Sequence, residues 1–332
     1  MPRFGTSESD RDTGNRRRRI RAACMVMGLL AAASCGNPSD SQVNNGGQDE
    51  PTTTNTPTGA TDPTATSPSP GGVQTVVTAA DFNESEFSAS TTIDNQWLPL
   101  QPGMQFVFKG AADIDGERQP ARDVFTVTDL TKIVDGVRTV VVWDRDYSNG
   151  RLVEAELALF AQDDSGNVWL LGEYPEEYDG GEVVDIPTWI SGLQEARAGI
   201  AMPALPALGT PSYAAGWAPA VEFTDRARVH RVGVETCVPS GCYHNVIVID
   251  EFNPDEPGSH QLKYYAPNIG NVRVGWAGAR DESKEILKLI NRVQLSDREV
   301  AAARSGALAL EQRAYRFSPD VYAKTPRAVP TG

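Results

Sequence analysis

Val124-Phe-Thr-Val-Thr-Asp129, then Asp135-Gly136, then Val137-Arg-Thr-Val-Val-Val-Trp-Asp-Arg-Asp-Tyr147, then Asn149-Gly150: this stretch decides the fold. Apolar and polar residues alternate through the first run, which places one face of a strand in a core and the other in water. Asp-Gly and Asn-Gly suit two-residue hairpin turns, because both central residues must take positive φ. The pattern extends in both directions. Asp115-Gly116 separates Met104–Ala111 from Arg122–Thr128, Asn149-Gly150 opens Leu152–Gln162, Asp164-Ser-Gly166 opens Asn167–Tyr174, and Asp179-Gly-Gly181 marks a fifth reversal. A second set of runs follows at Val221–Thr236, Tyr243–Phe252, His260–Ala266, Asn271–Trp276 and Lys284–Val293. Regular short strands joined by tight turns predict an all-β domain over 78–295, an antiparallel meander forming an open or partly closed barrel.

A helix and tail over 296–332 complete the chain. Ser296-Asp-Arg-Glu299 is a capping box, and Val300, Ala303, Ala307, Leu310 and Ala314 recur at three or four from Asp297 to about Arg316. The stripe is narrow and mostly Ala, with Gly306 in its middle, so the pattern predicts weak docking or fraying.

The N-terminus carries an address. Arg16 to Arg19 and Arg21 precede the apolar run Ala22 to Ala33, and Ser34-Cys35 leads into a polar stretch beginning at Gly36. A charged region, a short apolar region and small residues at a cleavage site make an export signal over 1–34. Cys35, in the first mature position, is where a bacterial lipoprotein is acylated. The rival reading is a conventional signal peptide cut near Ala33, because lipoboxes favour Leu where this chain has Ala32. The apolar run has 12 residues, and a membrane-spanning helix needs about 20. The Arg run suits twin-arginine export as well as the general route.

Residues 35–77 read as a tether. From Gly36 onward they lack aromatic residues and are rich in Thr, Pro, Asn, Ser and Gly, which cannot bury enough apolar surface to fold. As a flexible coil they span roughly 35 Å.

The chain carries a formal charge of −14, and residues 1–34 hold seven Arg against Glu8, Asp10 and Asp12, so the mature chain stands at −18. That balance repels phosphate backbones and argues against nucleic-acid binding. The expected partner is therefore the membrane, reached through an N-terminal lipid.

Cys24 leaves with the signal and Cys35 is the lipidation candidate, which leaves Cys237 and Cys242 to pair with each other. Pro239 and Gly241 between them suit a tight reversal, and an oxidising compartment favours a structural disulfide. A redox pair is disfavoured by the spacing of four and the absence of an intervening charge.

Catalytic signatures of the nucleophile-elbow, zinc-protease, phosphate-loop and dinucleotide kinds are absent, and no motif requires a cofactor or a metal. His230, His244 and His260 lie on separate expected strands without ligand spacing. The acid runs Asp144 and Asp146, Glu173 to Asp179, and Asp250 to Glu256 read as solvated turns and wet faces in so acidic a chain. Trp189–Ala220 is different: long, rich in Ala, Gly and Pro, and charged only at Glu195 and Arg197. A stretch of this kind is a functional loop or a misread element. Its apolar members Trp189, Ile190, Met202, Leu205, Tyr213 and Trp217 are candidate ligand-lining residues, either in a permanent plug or in a mobile cover.

Asn95-Gln-Trp97-Leu-Pro-Leu-Gln-Pro-Gly103-Met-Gln-Phe106 opens the domain, Phe160-Ala-Gln-Asp-Asp-Ser-Gly-Asn-Val-Trp169-Leu-Leu-Gly-Glu173 stands in its middle, and Lys263-Tyr-Tyr-Ala-Pro267-Asn-Ile-Gly270-Asn-Val272 closes it. Together these resemble a broad group of uncharacterised exported bacterial proteins and lipoproteins. The resemblance covers roughly 93–276 and implies no reaction and no catalytic residue. Members often have a single cysteine in the region of Cys242, and the pair here departs from that. Mechanically, the first segment is an anchored turn into a strand, and the last is a hairpin with Gly270 at positive φ.

These features predict a membrane-tethered extracytoplasmic lipoprotein, a non-enzymatic binding or carrier protein for an apolar or envelope-derived ligand. A carboxylate-based hydrolase and a purely structural envelope protein are the alternatives. Ligand identity, protein partners and oligomeric state are not legible at this level.

Overall fold

The computed structural model describes residues 81–114, 117–278 and 284–331. The signal peptide, Cys35, the tether and the Asp115-Gly116 turn lie outside them. The strands are β1 (Met104–Ile114), β2 (Glu117–Val134), β3 (Val137–Ser148), β4 (Arg151–Gln162), β5 (Val168–Asp179), β6 (Glu182–Asp185), β7 (Trp189–Ile190), β8 (Gly199–Met202) and β9 (Tyr213–Ala214). Then come β10 (Arg226–Val238), β11 (Gly241–Phe252), β12 (His260–Ala266), β13 (Gly270–Trp276), β14 (Glu285–Gln294), helix α1 (Asp297–Phe317) and β15 (Val329–Pro330). The main sheet runs β6-β5-β4-β3-β2-β1-β14-β13-β12-β11-β10-β9, so two antiparallel meanders join where β1 meets β14.

The turns behave as their chemistry requires. Val134 pairs with Val137 across Asp135 (φ 47°) and Gly136 (φ 80°), and Ser148 pairs with Arg151 across Asn149 (φ 50°) and Gly150 (φ 76°). Cys237 and Cys242 stand opposite each other in the β10–β11 hairpin and form a disulfide.

Trp189–Ala220 is not a structureless loop. β7 and β8 pair with β5, β9 pairs with β10, and Arg197 and Trp217 exchange backbone hydrogen bonds of 2.7 and 3.2 Å. The segment thus stitches one end of the sheet to the other. At its closest, a Cβ on Gly199 would fall 2.2 Å from the Ala215 carbonyl carbon, so only glycine fits that seam.

The helix corrects the expectation of weak docking. Ala303, Ala307, Leu310 and Ala314 are buried, and small residues let α1 lie close to the sheet. Gly306 rests on the Trp143 ring, where a Cβ would come within 2.3 Å. Ion pairs reinforce the contact: Arg304 with Asp129, Arg313 with Glu176 at 2.9 Å, and Lys132 with Glu311 at 3.0 Å. Lys132 is fully enclosed, donates also to the Pro326 carbonyl at 2.6 Å and lies 4.2 Å from the Tyr322 ring centroid. The capping box forms, with Ser296 N donating to Glu299 at 2.8 Å.

Because α1 and the C-terminal segment cover β2–β5 from outside, both faces are buried over 126–128, 139–142, 154–161 and 168–177, rather than one buried and one wet. β5 is buried from Val168 to Glu177 without interruption. Among the described residues no helix is long and apolar enough to cross a membrane.

Candidate functional site: a phenylalanine pocket on an acidic interior

The face of the sheet turned away from α1 holds carboxyls. Cross-strand pairing puts Asp123 beside Asp146, Asp146 beside Glu154, and Glu154 beside Glu177, with Asp144 beside Glu156 in the adjoining row. All six of these acids are buried, as are Glu173, Glu251 and Glu285. The sheet curls enough for β12 to look across at β3 and β5, since the charge of Lys263 acts on Asp144, Glu173 and Glu285. Lys263 is 1 % exposed and meets Glu251 at 2.6 Å.

This overturns the expectation that the acid runs are solvated, which holds only at the exposed Asp179 and Asp255. Like charges opposite one another cannot all persist in a low-dielectric interior, and burial favours the neutral form. Burial raises Asp123 well above the ordinary carboxylate range, helped by the negative charges of Asp144, Asp146 and Glu285. Asp123 and Asp144 form a carboxyl–carboxylate hydrogen bond in which Asp123 keeps the proton. Glu156 is likewise raised well above its range, by burial and by the charges of Glu173, Glu154 and Asp144. Burial lifts Glu173 to about 8, against the opposing hydrogen bond from Trp189 Nε1 at 2.7 Å and the charge of Lys263. Glu285 also rises to about 8 by burial.

One of these acids reaches a cavity. A pocket of about 40 Å³ is walled by Phe106 and Phe108 of β1 and by Phe125 and Asp123 of β2. Leu98, Pro99 and Leu100 close one side, and Gly270 and Asn271 of β13 the other. Phe106 and Phe125 meet edge to face at 6.0 Å. Phe125 and Asn271 are half-buried at the rim, whereas Asp123 is 2 % exposed.

The chain builds this pocket from the two segments that open and close the domain. Asn95 accepts from the backbone N–H groups of Trp97 and Leu98 at 2.8 and 3.1 Å and donates to the Gly166 and Pro203 carbonyls, which fixes Leu98–Leu100 in place. Asn268 N donates to the Gln96 carbonyl at 2.6 Å and ties the two segments together. Gly270, at φ 106°, turns the chain into β13 as expected. The middle segment serves structure: Asp163 accepts from Ser165 N, Asn167 N and Trp169 Nε1 and so holds its own turn.

None of the six apolar candidates from the Trp189–Ala220 stretch is among the residues lining this pocket. Trp189, Ile190, Met202 and Tyr213 are buried beside β5 and β10, and the Trp189 ring packs tilted against Phe223 at 5.3 Å. Leu205 and Trp217 are exposed. The histidines stay apart: His230 is exposed, His244 faces Glu235, and His260 pairs with Asp250 at 2.8 Å and stacks on Phe252. No group of three or more His, Cys, Asp or Glu arranged to hold a metal occurs among the described residues.

No family model matches the chain, and no curated protein matches its sequence. The chain is similar in structure to a protein of Bacteroides fragilis assigned as exported, with a YmcC-like fold. That likeness has 16% identity and a TM-score of 0.35, and covers 60% of this chain and 99% of the other. It is similar also to a protein of Parabacteroides distasonis assigned as a lipoprotein, at 12% identity and TM-score 0.32, over 60% of this chain and 100% of the other. With TM-scores this low, neither likeness bears on the activity.

Proposed function

We propose that this chain is a lipid-anchored extracytoplasmic binding protein, and that the phenylalanine pocket over Asp123 is its ligand site. The observation that carries it is the pocket's composition: three phenyl rings and two leucines surrounding a single buried carboxyl, the apolar wall with one placed polar group usual in small-ligand sites. The lipid at Cys35 and the tether at 35–77 hold the domain near a membrane. The pocket's small volume suits the end group of a ligand, the rest lying across the rim at Phe125 and Asn271.

Hydrolysis by paired carboxyls fits less well. Carboxyls that cleave glycosides stand roughly 5–9.5 Å apart around the bond, whereas Asp123 and Asp144 touch through a shared hydrogen bond and only Asp123 lines the pocket. The test is native mass spectrometry of full-length protein extracted from its own membranes. A small molecule should travel with the wild type and be lost from Asn271→Trp, which fills the rim without entering the core. A wild type that carries nothing and takes up no apolar or amphiphilic probe would overturn the proposal.

A further inference from the structure

We infer that the pocket takes an alkylammonium group, the cationic amine end of a ligand; this rests on the binding role proposed above and names its chemistry. The rings of Phe106, Phe108 and Phe125 line a volume of about 40 Å³. A cation over the face of such a ring is attracted by the ring quadrupole, most strongly where water is excluded. The Phe106 ring already receives one cation, with the Arg292 guanidinium 5.7 Å from its centroid. The lining includes Asp123, 2 % exposed and hydrogen-bonded to Asp144.

The lining excludes the opposite charge. It contains no Lys, Arg or His, so a phosphate or carboxylate end would meet three rings and an acid. The size fits as well: a water needs roughly 10–15 Å³ of such space, so the pocket holds about three waters' worth, enough for an ammonium and its first carbons.

Behind the pocket stands a cluster of buried acids. Asp144 and Asp146 of β3 and Glu285 of β14 face Asp123, and Arg145 acts from the neighbouring position on β3. Acid-lined clefts with low-dielectric walls concentrate cations. An entering ammonium adds a positive charge on the pocket side of Asp123, where no Lys, Arg or His lines the wall. Asp123 then loses to solvent the proton it shares with Asp144, that hydrogen bond breaks, and the charge of the amine offsets the two carboxylates in its place, so each binding event releases up to one proton. Binding therefore tightens as pH rises.

The experiment is calorimetric titration of full-length protein, in a non-ionic detergent, with n-butylammonium chloride and separately with 1-butanol. The ammonium should bind about tenfold or more tighter than the alcohol. Its heat should differ between buffers of different ionisation enthalpy, reporting proton release. Asp123→Asn, whose amide can still donate to Asp144, should abolish the preference for the ammonium over butanol. If that variant fails to fold, Phe108→Leu keeps the wall apolar and should weaken the ammonium more than the butanol. Equal or better binding of butanol, without proton release, would overturn the cationic ligand and leave the binding role standing. Binding of neither probe would overturn both.

Discussion

Replacing Glu173 with Gln removes one titrating group from the interior while keeping its shape and its acceptor for Trp189. In the folded protein Glu173 titrates at about 8 instead of 4.5. Between those values the native state holds a proton that the unfolded chain has lost, so stability falls as pH rises. The contribution is complete below about pH 4.5 and gone above about pH 8, and a shift of this size corresponds to roughly 5 kcal/mol at its limit. Glu285, raised to about the same value from another strand, acts in the same sense. Wild-type protein should therefore be markedly more stable near pH 5 than near pH 9. Glu173→Gln should match wild type near pH 5 and exceed it by several kcal/mol near pH 9. Urea unfolding followed by tryptophan fluorescence across that range measures both, with an unchanged m-value as the check on two-state behaviour. Parallel pH profiles for the two proteins would refute a buried, protonated Glu173.

Three further outcomes follow from the packing and the address. Lys132→Met leaves Glu311 buried without its partner and should cost about 3–5 kcal/mol in chemical unfolding, largely recovered in the double variant Lys132→Met/Glu311→Leu. Trp189→Ala should cost about 3–5 kcal/mol, because its indole is buried against Phe223 and bonded to Glu173, whereas Trp217→Ala, 41 % exposed, should cost less than about 1 kcal/mol. Cys35→Ala should move the protein from the membrane to the soluble fraction, and a variant that stays membrane-bound as firmly as wild type would exclude lipidation there.

Strands and turns were legible because their causes are local. Alternation in Val124–Asp129 and the positive φ demanded at Asp135-Gly136 and Asn149-Gly150 act over a few residues, and each appears in the structure. The polarity of the faces was not legible, because alternation tells which residues share a side and not which side is inside. Polar side chains ordinarily mark the wet face, yet here Asp144, Asp146, Glu154 and Glu156 point inward and Trp143, Leu157 and Tyr174 meet the outer cover. One signal was available. The Asn149-Gly150 hairpin sets Asp and Glu opposite one another, a pairing that is unfavourable on an open surface and calls for shared protons or a cation.

The expectation that the helix docks weakly failed for a related reason. A narrow Ala stripe looks weak by hydrophobicity, but small residues allow the close approach at Gly306 and Trp143 that brings Arg304, Glu311 and Arg313 to their partners. The pocket needs tertiary knowledge outright, since Leu98–Leu100 and Gly270-Asn271 come from the two ends of the domain. Both segments were visible, but their meeting was not.

The most direct test of the binding site is an anomalous difference map from crystals of the protein grown with 3-bromopropylammonium. Binding at the pocket predicts a bromine peak at the rim beside Phe125 and Asn271, with the amine density reaching toward Asp123. Bromine peaks elsewhere on the molecule, with only solvent between Phe106 and Asp123, would contradict it.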